Sequence, residues 1–211
     1  MARFWWAALC VTVSLAIAGF LTFQTAKKRH SLALSTVKIM VGEGHGSGVH
    51  TGNRFIVTAA HVVRGQKEVK VKSSSGAEAL ADVLWLNEGQ DIALLRAREL
   101  PGVDVSRLSC GNPSVGQHVS AVGNPGPLEF ITAYGRVSSD MKRGERWADF
   151  YIASMAVAPG MSGGPVFNES GLVVGIVVGV AITQIGWGAS AVSLAYIAPA
   201  SAICNLTMRN A

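Results

Sequence analysis

The chain is short of charge. Only 15% of its 211 residues are Asp, Glu, Lys or Arg, against 49% hydrophobic, and a composition so apolar excludes an intrinsically disordered protein. Long hydrophobic runs are scarce too: a single uncharged stretch, Phe4 to Phe23, has the 20 residues that cross a hydrocarbon core at about 1.5 Å per residue. A polytopic membrane protein is therefore excluded. Cysteine is limited to Cys10, Cys110 and Cys204, too few for a disulfide framework and without the spacing of a metal site. Cys10 lies in the apolar stretch, so Cys110 and Cys204 are the only candidates for a bridge in the remainder, and spacing does not reveal whether they meet.

The basic excess is local. Four of the 18 basic residues (Arg3, Lys27, Lys28, Arg29) and none of the 13 acidic ones fall in the first 30 positions, which leaves 14 basic against 13 acidic groups beyond them. The formal charge of +5 thus points to anionic lipid beside a membrane segment and not to nucleic acid. Residues 1–30 read as an N-terminal transmembrane helix with Phe4, Trp5 and Trp6 at the lipid interface. Ala16-Ile17-Ala18 also offers the small-residue pattern of a cleavable signal peptide. The continuation of the apolar run to Phe23 favours the uncleaved anchor. By the positive-inside rule, the Lys27-Lys28-Arg29-His30 cluster would hold the rest of the chain in the cytoplasm.

Beyond the cluster, short apolar runs are broken by Gly, Asn, Pro and Ser. Strands are predicted at 37–41, 48–51, 55–58, 69–72, 79–86, 92–95, 119–122, 130–137, 150–153, 165–167, 173–180 and 189–194, with a short terminal helix over 200–208 opened by Pro199. A stretch rich in Pro, Gly and Ser from Pro101 to Gly116 divides the strands into two sets, giving an all-β chain of two small packed barrels over 31–108 and 109–211. The groove between them is the default site.

Histidine is absent after His118, and this decides between nucleophilic chemistries. Gly160-Met161-Ser162-Gly163-Gly164-Pro165 satisfies the loose pattern G-x-S-x-G, but an α/β-hydrolase needs a histidine after its serine. The order Asp, His, Ser is open only to His118, because the first Asp is Asp82. The order His, Asp, Ser remains. His61 sits in Thr58-Ala59-Ala60-His61-Val62-Val63, Asp91 begins Asp91-Ile92-Ala93-Leu94-Leu95 30 residues later, and Ser162 follows after 71 more. Each residue alone has an ordinary structural explanation; together and in this order they suit a general base, its orienter and a nucleophile.

These three motifs resemble the catalytic signatures of the trypsin-like serine proteases. The Gly46 to Val49 run (GSGV), the Ala121 to Pro127 run (AVGNPGP) and the compact spacing resemble the HtrA/DegP-like branch, over about Val37 to Leu206. The resemblance implies two packed six-stranded antiparallel β-barrels, a catalytic triad of His61, Asp91 and Ser162, and an oxyanion hole from the backbone N–H groups of Gly160 and Ser162. It implies a protein or peptide substrate, no cofactor, and work outside the cytoplasm, against the direction of the basic cluster. The chain departs from the family in three places. Met161 replaces the Asp that pairs with a newly cut N-terminus in digestive relatives. Ala156 stands where relatives that cut after Lys or Arg carry Asp, so that Ala156, Val177, Val178 and Val180 imply a pocket for small or aliphatic side chains. Val178 occupies a position where relatives often place a hydroxyl near the catalytic Asp. HtrA-like enzymes usually continue into a PDZ domain, and this chain stops near the terminal helix. His45 and His50 lack a third ligand in any metal-binding pattern. A silent relative that binds peptides or a partner at the membrane would share these motifs, as would an esterase or self-cleaving protease of the same fold; three intact groups favour the peptidase.

Overall fold

A computed structural model of the chain describes residues 32–185 and 188–209. The apolar stretch expected to form a membrane helix lies outside the described residues. Within them, no helix is long and apolar enough to cross a membrane.

Among the described residues, twelve strands form two closed antiparallel barrels. The first contains β1 (Thr36–Val41), β2 (Gly44–Gly52), β3 (Phe55–Thr58), β4 (Glu68–Ser73), β5 (Glu78–Asn87) and β6 (Ile92–Ala97), in the order β1-β2-β3-β6-β5-β4. The second contains β7 (His118–Gly123), β8 (Ile131–Val137), β9 (Tyr151–Ser154), β10 (Pro165–Asn168), β11 (Val173–Ile185) and β12 (Gly188–Pro199), in the order β10-β11-β12-β9-β8-β7. A one-turn helix α1 (Ala60–Val63) follows β3, and α2 (Ala200–Arg209) follows β12. Closure leaves neither barrel with an open edge.

The side-chain pattern explains how the barrels pack. In β4 the residues alternate, with Val69 and Val71 buried between exposed Glu68 and Lys70, as expected of a strand with one wet face. In β6, by contrast, Ile92, Ala93, Leu94 and Leu95 are all buried. Ala93 and Leu95 fill the first barrel with Val37, Ile39 and Ile56. Ile92 and Leu94 face the other way, into a cluster shared with Phe167, Val173, Ile176 and Ala202 of the second barrel and its helix. Each fully buried Ile, Leu or Phe there stabilises the contact by about 1.5–3 kcal/mol. A strand buried on both faces is what the uninterrupted Ile92 to Leu95 run specifies.

Pro199 ends β12 opposite Gly175, where its missing N–H suits the end of a ladder, and α2 opens at the next residue as expected. The strands expected at 173–180 and 189–194 are portions of a longer hairpin, Val173–Ile185 with Gly188–Pro199, whose register runs from Gly175 opposite Pro199 to Ile185 opposite Gly188. Cys110 and Cys204, whose pairing spacing left open, form a disulfide with a Cα separation of 5.9 Å that ties α2 to the segment between the barrels.

Candidate active site

His61 lies in the first turn of α1, and Asp91 at the end of the tight turn before β6. The N-cap residue Ala59 has no side-chain cap to offer, so the helix takes its partners from Asp91. The Asp91 carbonyl accepts the N–H of Ala60 at 3.1 Å, and Asp91 Oδ1 accepts the N–H of His61 at 2.9 Å. Two otherwise orphaned helix amides are thereby satisfied. Asp91 reaches this position with φ of 53°, a left-handed backbone uncommon outside glycine.

The other carboxylate oxygen holds the imidazole. His61 Nδ1 and Asp91 Oδ2 are 2.7 Å apart. The Asp91 side chain is 8% exposed and that of His61 38%. Burial opposes ionisation of Asp91, but the hydrogen bonds and charge of His61, with a contribution from Trp147, more than offset it and hold the carboxyl below its usual range. An ionised Asp91 requires a proton on Nδ1, so the neutral imidazole keeps its free lone pair on Nε2. The Trp147 indole N–H also points at Asp91 Oδ2, at 3.4 Å.

Ser162 comes from the loop between β9 and β10 and is held against the first barrel. The N–H of Ser47 donates to the Ser162 carbonyl at 2.8 Å, and the N–H of Gly163 to Val177 O at 2.7 Å. At Gly163, with φ of +80°, a Cβ would lie 2.2 Å from both Ser47 O and Thr58 Oγ1 and 2.8 Å from Ala59 N; only glycine admits this approach. The serine loop thus abuts the segment that ends in His61. Among the described residues no hydrogen bond joins Ser162 to His61, a separation common in unliganded sites of this kind.

The loop carrying Gly160 and Ser162 rests on a buried polar node. Ser47 Oγ donates to Gly160 O at 2.7 Å and accepts from Asn124 N at 3.0 Å and Asn124 Nδ2 at 2.9 Å. Asn124 Oδ1 accepts the N–H of Phe130, and His45 Nε2 lies 2.8 Å from Asn124 O. The N–H of Gly126 donates to Pro159 O at 3.0 Å, which sets the peptide plane whose nitrogen belongs to Gly160. Outside this node, Lys38 and Lys72 of the first barrel converge on Glu129 at 2.9 and 2.8 Å; the hydrogen bond from Lys72 and then that from Lys38 hold its carboxyl low. His50 is directed elsewhere, with Nδ1 at 3.0 Å from Asp104 O.

The four expected specificity residues do not share one environment. Ala156 is exposed, and Val177 is buried with Val180 packed against the same cluster. Val178, on the opposite face of β11, packs in the cluster that contains Trp147. Sequence reasoning missed Trp147, Ser47 and Asn124. Ser47 and Asn124 lie within the quoted GSGV and AVGNPGP runs, where a buried polar side chain beside a glycine was the available signal. Trp147 had none, since it stands in a charged loop.

Comparison with known proteins agrees with this geometry. Residues 46–176 match the model of the trypsin-like peptidase domain. A protein of Hahella chejuensis named "Probable periplasmic serine endoprotease DegP-like" is 35% identical over 136 residues, 62% of this chain and 29% of that protein. "Protease Do-like 1, chloroplastic" of Arabidopsis thaliana is 30% identical over 165 residues, 72% of this chain and 36% of that protein. The chain therefore spans about a third of the length of these relatives. The crystal structure of the Rv3671c protease of M. tuberculosis in its inactive form superposes with a TM-score of 0.74 at 24% identity, covering 86% of this chain and 91% of that one, a likeness of fold. With two barrels, a histidine and aspartate joined in the first and a serine loop from the second set against them, the chain belongs to the family of trypsin-like peptidase domains, among homologues of the HtrA/DegP-like serine proteases.

Proposed function

We propose that the chain is a serine endopeptidase in which Ser162 is the nucleophile, His61 the general base and acid, and Asp91 the group that orients His61. The observation that carries the reading is the double attachment of Asp91 to His61, which leaves Nε2 free at a partly exposed position beside the serine loop. In the first step Nε2 takes the proton of Ser162 Oγ as that oxygen bonds to the scissile carbonyl carbon. The carbonyl π electrons move to oxygen, where the N–H groups of Gly160 and Ser162 stabilise the charge; one such donor is worth roughly 3–4 kcal/mol of barrier. Collapse expels the amine, which leaves with the proton from Nε2, and an ester to Ser162 remains. Water, deprotonated by the same nitrogen, then hydrolyses that ester.

The absence of a carboxylate at Ala156 and the apolar Val177 and Val180, which share one cluster, support a preference for small or aliphatic side chains before the cut; Val178 faces the other way and is not part of that support. The names of the relatives support an extracytoplasmic domain, and so does the Cys110–Cys204 disulfide, because such bridges persist in oxidising compartments. The Phe4 to Phe23 run supports attachment to the membrane as a single-pass anchor. The test is hydrolysis of an unfolded protein by the full chain: Ser162→Ala lowers the rate about a million-fold while the fold persists. Specific binding of peptides without turnover would instead favour the reading as a silent relative.

A further inference from the structure

We propose that Trp147 is a positioning residue for Asp91: its indole N–H supplies the side-chain donor that Val178 lacks, and residues 147–149 clasp the turn 89–91 so that the carboxylate stays aligned with His61. This rests on the reading of Asp91 as the orienter of His61.

Three contacts in sequence form the clasp. Trp147 Nε1–H points at Asp91 Oδ2 at 3.4 Å, Ala148 N–H donates to Gly89 O at 2.7 Å, and Gln90 Nε2–H donates to Asp149 Oδ2 at 2.9 Å. Each residue of one tripeptide thus engages one residue of the other. Arg143 Nε, 3.1 Å from Asp149 Oδ1, anchors the outer end. The turn so gripped holds Asp91 in a left-handed conformation, and such a backbone persists only where its surroundings over-determine it.

The indole is itself held on several sides. Its ring lies 5.0 Å from that of Tyr196 and 5.9 Å from that of Phe150, and the Arg146 guanidinium lies 4.7 Å from its centroid. On β11, Gly179 leaves the room it fills: a Cβ there would come within 2.9 Å of Trp147 Cη2. Val178, beside that glycine, is buried in the same cluster as Trp147 and has no polar atom to offer. Among the described residues, Asp91 Oδ2 would otherwise have His61 as its sole partner. An indole N–H can donate and cannot accept, so it favours the ionised carboxylate and cannot compete with it for the Nδ1 proton of His61.

Trp147→Phe keeps a ring in the aromatic cluster and removes the donor. In the full chain it lowers kcat about tenfold with KM near the wild-type value, and it lowers the thermal midpoint by the few degrees expected when a buried ring is shortened. The hydrogen bond also has a signature that needs no turnover. In the ¹⁵N-labelled protein the indole resonance of Trp147, identified by replacing the five tryptophans in turn, moves upfield in Asp91→Asn. A Trp147→Phe variant with wild-type kcat, or an indole resonance unmoved by Asp91→Asn, overturns the proposal. Fluorophosphonate labelling of Ser162 in the same preparations separates two failures. Normal kcat in Trp147→Phe with Ser162 labelled overturns the clasp alone, whereas an unlabelled wild-type Ser162 overturns the triad and the clasp with it.

Discussion

Ser47 holds two carbonyls of the loop that carries the nucleophile: its N–H donates to Ser162 O at 2.8 Å and its hydroxyl to Gly160 O at 2.7 Å. The two residues whose amides are proposed to stabilise the oxyanion are thus anchored by one residue of the opposite barrel. Ser47→Ala keeps the backbone contact and loses the other, and it leaves the buried Asn124 Nδ2 and N–H without their acceptor. The variant is expected to lose about 1–3 kcal/mol of stability and about tenfold in kcat, with KM little changed. Urea denaturation and steady-state kinetics measure both; a wild-type kcat would show that the loop does not depend on this anchor.

Gly163 cannot be replaced without moving one barrel against the other. The Cβ of Gly163→Ala meets Ser47 O and Thr58 Oγ1, and the positive φ adds its own strain. A loss of more than about 3 kcal/mol is expected, read as a fall in the denaturant midpoint. Little change would mean that the approach of the serine loop to Thr58 is looser than described.

How much of this was visible beforehand depends on the physics of each feature. Strands were legible because alternation in Val69 to Lys72 and the unbroken run Ile92 to Leu95 encode wet and dry faces locally. The proposed triad could be nominated from the sequence because no histidine follows His118, which rules out the order Ser, Asp, His, and because His61, Asp91 and Ser162 stand in motifs that resemble one family's. Pro199 marked the start of the terminal helix at Ala200, since its fixed φ and missing N–H suit a strand end and a helix start alike. The Cys110–Cys204 bridge and the contact of Trp147 with Asp91 are long-range, between residues 94 and 56 positions apart, and no local pattern announces them. Val178 was noticed as a missing donor; the replacement came from a loop that only the folded chain brings near.

Acid should destabilise the protein partly through Asp91. Its carboxyl is held below the ordinary carboxylate range in the folded chain, so the unfolded chain binds more protons there. The contribution is complete above the unfolded value of about 4 and is lost as pH falls through the lower folded value. Asp91→Asn should therefore be less stable than wild type at neutral pH, with the gap closing below about pH 4. Denaturation at pH 7 and pH 3 tests this, and a gap of constant size would contradict it. The same variant should lose roughly 10⁴-fold in kcat, because the amide favours the wrong tautomer of His61.

Reduction of the disulfide should be costly. The bridge closes a loop between positions 94 apart, for which the chain-entropy model gives about 4–5 kcal/mol. Cys110→Ser with Cys204→Ser should fall in denaturant midpoint accordingly, and wild type with reductant should approach it. Equal midpoints with and without reductant would show that the bridge does not form in solution.

The most direct measurement is the site of covalent labelling. The full chain is treated with a fluorophosphonate, digested and read by mass spectrometry. The result expected is a single adduct on Ser162 that disappears in Ser162→Ala and is strongly slowed in variants at His61 or Asp91. An unmodified Ser162 in folded protein, or labelling indifferent to His61 and Asp91, would contradict the assignment of these three residues as a working triad.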